Sequence, residues 1–233
     1  MWPFSKRLTL TSSQIFEGFT DCHSHILPGV DDGVKHIEES LDILSRYEEM
    51  GFKAVWFTPH IMEDIPNTTA DLKERFETLK AEYHGPLELH LGAENMIDNL
   101  FENRLADNDF LPMGPKLDHL LVETSYFTPT YGFHDTLEKV KAAGYFPVLA
   151  HPERYVYMGS KDYDRLKEMN ILFQLNLFSL AGYYGSAVQH TAEALLKKGY
   201  YDYAGTDIHT VTMLDRWPLR PISPKHLPEF RTL

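Results

Sequence analysis

The stretch TLEKVKAAGYFPVLAHPERY, Thr136 to Tyr155, holds the unit from which the fold is read. Its first half is a helix-forming run that stops at Gly144, a residue able to take the left-handed turn that closes a helix. Tyr145 and the short apolar run FPVLA follow, bounded and strand-length. Directly after that strand come His151 and Arg154, side chains that carry chemistry rather than packing.

The same order recurs along the chain. TAEALLKKG ends at Gly199 before YDYAG, and Glu38 to Met50 places Leu41, Leu44 and Tyr47 near one face, with Ile37 ahead and Gly51 as the stop. Seven segments read as strands: GFTDC, KAVWFT, LELHLG, HLLVET, YFPVLA, ILFQLN and YDYAG. Buried strands alternating with helices imply a parallel sheet. About seven such units favour closure into a TIM-like (β/α)7 barrel over an open nucleotide-binding sheet, and the first strand lacks the glycine fingerprint of a dinucleotide site.

Composition narrows the function classes. The chain has 233 residues, 43% of them hydrophobic and 13% aromatic, which suits one α/β domain with a sizeable core. We read that domain over residues 20–233, with Met1–Phe19 as an N-terminal arm whose aromatics pack on the domain or on a neighbour. Gln174 and Asn176 interrupt the longest apolar run, ILFQLNLFSLAG, so no membrane insertion is expected. No apolar stretch of the secretory type follows Lys6 and Arg7. A single cysteine excludes an intramolecular disulfide and fits a reducing, cytoplasmic setting. A net charge of −12 argues against nucleic acid, although bound cations could reverse the potential inside one acidic pocket.

In α/β barrels the chemistry sits where strands end. Strand one ends in His23 and His25, strand two in His60, strand three in Glu94 and strand four in Glu123. Strand five ends in His151, strand seven in Asp207 and His209, and strand six offers only Asn176. A lone His-x-His is weak, and Asp31 or Asp32 alone reads equally as a helix N-cap. The recurrence at six of seven strand ends is what points to metal. His-x-His sends both imidazoles to one side of a strand. Mixed imidazole and carboxylate ligands suit Zn, Mn or Fe rather than Ca, and they are too many for one ion.

With DCHSHILPGVDDG, FTPH, GAE, VE, HPERY and GTDIH in this order, the chain from Asp21 to Trp217 resembles the polymerase-and-histidinol-phosphatase (PHP) metallophosphoesterases. It is most similar to their capsule-associated bacterial tyrosine-phosphatase branch. The resemblance implies a distorted seven-stranded barrel holding three divalent ions, Mn first and Fe, Zn or Mg as alternatives. It implies His23, His25, Glu94 and Asp207 at the first ion, with Glu94 bridging; Glu123 and His151 completing the second; and Asp32, His60 and His209 at the third. The implied reaction is phosphomonoester hydrolysis by a metal-activated water, with Arg154 on the phosphate oxygens. Arg216 is the nearest match to a second arginine but stands a couple of positions late. The implied substrate is a phosphotyrosine protein, a bacterial tyrosine kinase with a tyrosine-rich tail, and homo-oligomerisation near the first helix occurs in this branch.

Several alternatives are open to test. Cys22 is followed six residues later by Pro28, not arginine, so the cysteine-phosphatase loop fails and Cys22 reads as a small buried residue. A small-molecule phosphatase of histidinol-phosphatase type shares the expected fold and metals, and a non-catalytic metal-binding scaffold shares the ligands. An amidohydrolase would add a strand-end lysine, which is missing here. The acidic segment IMEDIPNTTADLKERFETL after His60 reads as a lid or as a plain surface connection.

Overall fold

The structure, a computed structural model, describes residues 8–223 and 227–233; the first seven residues of the arm lie outside it. All seven expected strands are present: β1 Thr20–Asp21, β2 Ala54–Phe57, β4 Glu88–Leu91, β6 His119–Glu123, β7 Phe146–Ala150, β8 Leu172–Asn176 and β9 Tyr203–Gly205. Two short strands come in addition, β3 His60–Ile61 and β5 Glu94–Met96. They continue β2 and β4 after a break. Pro59 has no N–H for a ladder, and its carbonyl, with that of Thr58, accepts the Glu94 N–H at 3.1 and 3.3 Å. The break divides the strands into a sheet ordered β1-β2-β4 and one ordered β3-β5-β6-β7-β8-β9, all pairs parallel.

The sheet curls until its last strand meets its first. The Asp207 N–H donates to the His23 carbonyl at 2.8 Å, and the His25 N–H to the Ile208 carbonyl at 2.9 Å. Beneath them buried Asp21 accepts from the Thr206 N–H, the Thr206 hydroxyl and the Tyr47 hydroxyl at 2.7–2.8 Å. The two Thr206 bonds join residues 185 apart in the chain and pin β1 to the β9 end.

Helices cover the outside: α1 Ile37–Met50, α2 Thr69–Glu82, α3 Asn99–Asp107, α4 Phe133–Ala142, α5 Ser160–Glu168, α6 Leu177–Leu180, α7 Ser186–Lys197 and α8 Thr212–Arg216. The glycine after α1 turns left-handed, with φ 91° at Gly51, and its N–H reaches back to Tyr47 and Glu48. The segment read as a lid or connection becomes the end of β3, a turn and most of α2. Leu72, Phe76 and Leu79 of that helix are buried in the core, and Thr68 caps it by accepting the Asp71 N–H. The described part of the arm packs on its own chain: Leu10 and Phe16 are buried, and Phe16 stacks on Phe52 at 5.0 Å.

Strand alternation explains what lies inside. Val55, Phe57, Leu120, Val122 and Leu149 face the helices. Their neighbours Trp56, Leu121, Val148 and Ala150 form a separate apolar cluster with Cys22, Met113 and Tyr203. With a period of two, the next inward positions beyond Leu121 on β6 and Leu172 on β8 are Glu123 and Gln174. The ligand-type residues therefore sit inside at the C-terminal ends, above an apolar floor. No described helix is long and apolar enough to cross a membrane.

Candidate metal centre

His23 and His25 leave β1 pointing the same way, their Nε2 atoms 3.1 Å apart. Each ring is held from behind through Nδ1: His23 by the Gln174 Oε1 at 3.0 Å, His25 by the Asp31 Oδ2 at 2.8 Å. Carboxamide and carboxylate oxygens accept, so each Nδ1 carries a proton and each Nε2 is turned inward, where it can ligate once a cation displaces its own proton, the arrangement that outer partners impose on ligating histidines. Both Nε2 atoms then face the same two acceptors. Glu94 Oε2 lies 3.2 and 3.3 Å away, Asp207 Oδ1 3.5 and 3.3 Å.

Glu94 is the hub. Its Oε1 is 2.9 Å from His151 Nε2, while its Oε2 also faces His60 Nδ1 at 3.2 Å. The same His60 Nδ1 stands 3.0 Å from Glu123 Oε1, and the opposite nitrogen of that ring is 3.5 Å from Asp32 Oδ1. His209 Nε2 reaches Asp32 at 3.4 Å, and its ring stacks on His25 at 4.1 Å. Four overlapping ligand groups result: His25–Asp32–His60–His209, His23–His25–Asp207, His23–Glu94–His151 and His60–Glu94–Glu123. All nine residues expected to ligate metal are thus brought together. His60, assigned beside Asp32 and His209, additionally turns Nδ1 toward Glu94 and Glu123.

The residues fit divalent cations on a structural criterion. His60 Nδ1, Glu94 Oε2, Glu123 Oε1 and His151 Nδ1 are buried without a hydrogen-bond partner. Unmatched buried polar atoms are rare and costly. Here Glu94 Oε2 and Glu123 Oε1 both stand about 3 Å from His60 Nδ1 without hydrogen-bond alignment, as ligands around a cation do. Charge points the same way. Burial alone lowers the His23 pKa, but Glu94 and Asp207 overcome it and hold the imidazole at about 9. Burial likewise opposes ionisation of Glu94 and Asp207, and the surrounding histidines keep both carboxylates well below their ordinary range. The metal-free chain balances its carboxylates with protons that a divalent ion would displace. Two of the expected ligands, His151 at φ 33° and Asp207 at φ 52°, occupy the left-handed backbone region, which is unusual outside glycine and typical of functional sites.

Arg154, in a short 3-10 turn after β7, borders this cluster. It donates to Asp207 Oδ2 at 2.7 Å, and its guanidinium lies between the rings of Tyr126 (4.3 Å) and Tyr184 (4.0 Å). The same carboxylate oxygen accepts from Asn176 Nδ2 at 2.9 Å and the Tyr184 hydroxyl at 3.1 Å. Arg216 is not brought in. Its exposed guanidinium rests over Trp217 at 5.2 Å and makes no ion pair among the described residues.

Several functional neighbours escaped sequence reasoning. Asp31 is no helix cap: His36 takes that position, and Asp31 instead holds His25 while accepting the His60 and Gly33 N–H groups. Gly33 can carry no side chain there, since a Cβ would fall 1.9 Å from the His25 carbonyl. Gln174 and Asn176 left a trace, as polar interruptions of an apolar run, whereas Tyr126 and Tyr184 left none. Cys22 is buried, its thiol donating to the Ala204 carbonyl at 3.0 Å, and burial pushes its pKa up, so it is inert as a nucleophile.

Comparison with known proteins places these features in a lineage. Residues 19–219 match the family described as capsular polysaccharide synthesis, CpsB/CapC. The putative tyrosine-protein phosphatase CapC of Staphylococcus aureus is 25% identical over 200 residues, covering 82% of this chain and 77% of that one. Tyrosine-protein phosphatase YwqE of Bacillus subtilis is 25% identical over 201 residues, with the same coverage. Among solved structures, one from work on YwqE of Bacillus subtilis and CpsB of Streptococcus pneumoniae, described there as unique metal-dependent tyrosine phosphatases, superposes with a TM-score of 0.74. It is 24% identical and covers 86% of this chain and 81% of that one, a likeness of fold.

Proposed function

The chain belongs to the CpsB/CapC family of capsular polysaccharide synthesis, and from that premise we propose that it is a metal-dependent phosphatase of phosphotyrosine in proteins. The observation that carries the reading is the set of four overlapping ligand groups around Glu94, with an arginine poised at their edge. We assign His23, His25, Glu94 and Asp207 to one ion, Glu94, Glu123 and His151 to a second, and Asp32, His60 and His209 to a third. Mixed nitrogen and oxygen donors suit Mn, with Fe, Zn or Mg as alternatives. Counting β2–β3 and β4–β5 as single interrupted staves gives seven, a distorted (β/α)7 barrel.

When bound, the ions supply Lewis acidity toward phosphoryl oxygens and a water acidified into the neutral range. The chain's own part is positional. Gln174 and Asp31 hold His23 and His25 in the ligating tautomer, and the apolar floor of Trp56, Leu121 and Val148 closes the centre to water from below. Arg154 offers a planar fork to the non-bridging oxygens, where charge redistributes as the ester bond breaks. Its ion pair with Asp207 and its two tyrosine neighbours fix the plane of that fork before substrate arrives. The substrate we propose is a tyrosine kinase of polysaccharide export, dephosphorylated in the cytoplasm, where Cys22 stays a thiol.

The test compares inhibitors and substrates on metal-reconstituted protein. Chelation with EDTA should abolish aryl phosphate hydrolysis while iodoacetamide leaves it intact, and a phosphotyrosyl peptide should be turned over faster than histidinol phosphate. Thiol-sensitive, chelator-resistant turnover would refute the mechanism, and preference for histidinol phosphate would refute the substrate class.

A further inference from the structure

The loop that leaves β6 runs from Thr124 to Gly132 beside the candidate centre and carries two rings that pack on nothing. Tyr131 is fully exposed and Phe127 is 76% exposed. Between this loop and the first turns of α3 and α4 lies a groove of about 700 Å³, lined among others by Met96, Asp98, Ser125, Tyr131 and Asp135. Its inner end is continuous with the proposed ligands. Met96 pairs in register with Glu123 and stands two residues beyond Glu94, and Ser125 stands two residues beyond Glu123.

Charge says what the groove accepts. Its one lysine, Lys139, is held by Glu102 at 2.9 Å, so those two cancel. Asp98 accepts the Phe101 and Glu63 N–H groups at 2.9 and 2.8 Å, neutral donors that leave its negative charge in place. Asp135 is exposed and makes no ion pair among the described residues. Two uncompensated carboxylates and an open tyrosine face suit a side chain with an aliphatic stem and a cationic head. Acidic lipid or nucleic acid would be repelled.

We propose that this groove seats the polypeptide beside the phosphotyrosine of a protein substrate and selects segments carrying lysine or arginine there. The proposal rests on the phosphatase reading above. An extended chain advances about 3.3–3.6 Å per residue. Met96 and Ser125 line the groove two positions beyond Glu94 and Glu123, so a phosphate bound at those ligands leaves the residues flanking its tyrosine at the groove mouth. The phosphate contacts set the chemistry, and the groove sets which tyrosines are reached.

The experiment uses the full chain reconstituted with Mn and three substrates: p-nitrophenyl phosphate and two phosphotyrosyl peptides, identical except for lysine or glutamate flanks. The wild type should favour the lysine peptide in kcat/KM by about threefold, the order an exposed ion pair supplies, and less in high salt. Asp135→Lys should erase or invert that preference. Tyr131→Ala should raise KM for both peptides by about fivefold, and both variants should keep p-nitrophenyl phosphate turnover. An unchanged peptide preference in Asp135→Lys, or equal losses on the aryl phosphate, would overturn the proposal. Anisotropy binding of the lysine peptide separates it from the phosphatase reading. Binding weakened by Asp135→Lys without turnover by any form would refute that reading alone, and equal binding by both proteins would refute the groove.

Discussion

Replacing Asp31 with asparagine probes the centre without touching any residue assigned to an ion. Asp31 serves three donors at once: Oδ2 accepts His25 Nδ1–H at 2.8 Å and the His60 N–H at 3.1 Å, and Oδ1 accepts the Gly33 N–H at 2.9 Å. An asparagine has one acceptor oxygen. With that oxygen toward Gly33, its amide group would face two donors and push His25 into the other tautomer, with Nε2 protonated and unable to ligate. With the oxygen toward His25, the tautomer survives but loses its anionic partner, and the Gly33 N–H is orphaned at a cost of about 1–3 kcal/mol. Either way the ligand set is weakened at His25, and changes behind ligating histidines typically cost about 10–100-fold in metal affinity. The assay is competition for Mn or Zn with a chelating dye at fixed pH, alongside thermal unfolding of both metal-free proteins. Asp31→Asn should bind metal at least about tenfold more weakly. Affinity within twofold of wild type would refute the claim that the Asp31–His25 bond sets the ligating tautomer.

Three further outcomes follow from the same structure. Because His23 is held at about 9 and His25 and His60 are also raised by neighbouring carboxylates, the metal-free centre keeps protons through neutral pH. Metal affinity should climb from pH 6 to 9 with proton release measurable by calorimetry in buffers of different ionisation enthalpy; pH-independent binding would contradict this. Tyr184→Phe, which keeps the ring over Arg154, should lose less kcat/KM than Tyr184→Leu on the same phosphopeptide, and equal losses would show that stacking does not position the arginine. Burial raises the Glu153 pKa from 4.5 to about 7, so the folded state binds its proton more tightly. That stabilisation is present below pH 4.5 and lost as pH rises through 7, by about 3 kcal/mol. Urea unfolding at pH 5 and pH 8 should show Glu153→Gln gaining on wild type at the higher pH, and a constant difference would refute it.

Much of this was legible in the sequence because strand and helix periods are local. Glycine stops, short apolar runs and polar tips placed all seven expected strands and brought nine ligand candidates to one rim. What escaped was set by contacts distant in the chain. Gln174 meets His23 across 151 residues and Tyr184 meets Asp207 across 23, and neither side chain advertises its partner. The split of β2 from β3 follows from Pro59, visible in the sequence, yet only the curl of the sheet shows that the strand resumes at His60. Asp31 and Asp32 looked alike as loop acids, and the turn before Gly33 sends one behind His25 and the other over His60 and His209. Arg216 was only the nearest match to the second arginine that the resemblance implies, a couple of positions late, and the short helix α8 carries it out to Trp217.

The most direct test of the central claim is elemental analysis of purified wild type and Asp207→Ala, with phosphotyrosyl peptide turnover measured on the same samples. The wild type should carry at least two tightly bound divalent ions per chain and hydrolyse the peptide, and the variant should lose metal and turnover together. Fewer than two ions in an active wild type, or near-normal turnover by Asp207→Ala, would contradict the account.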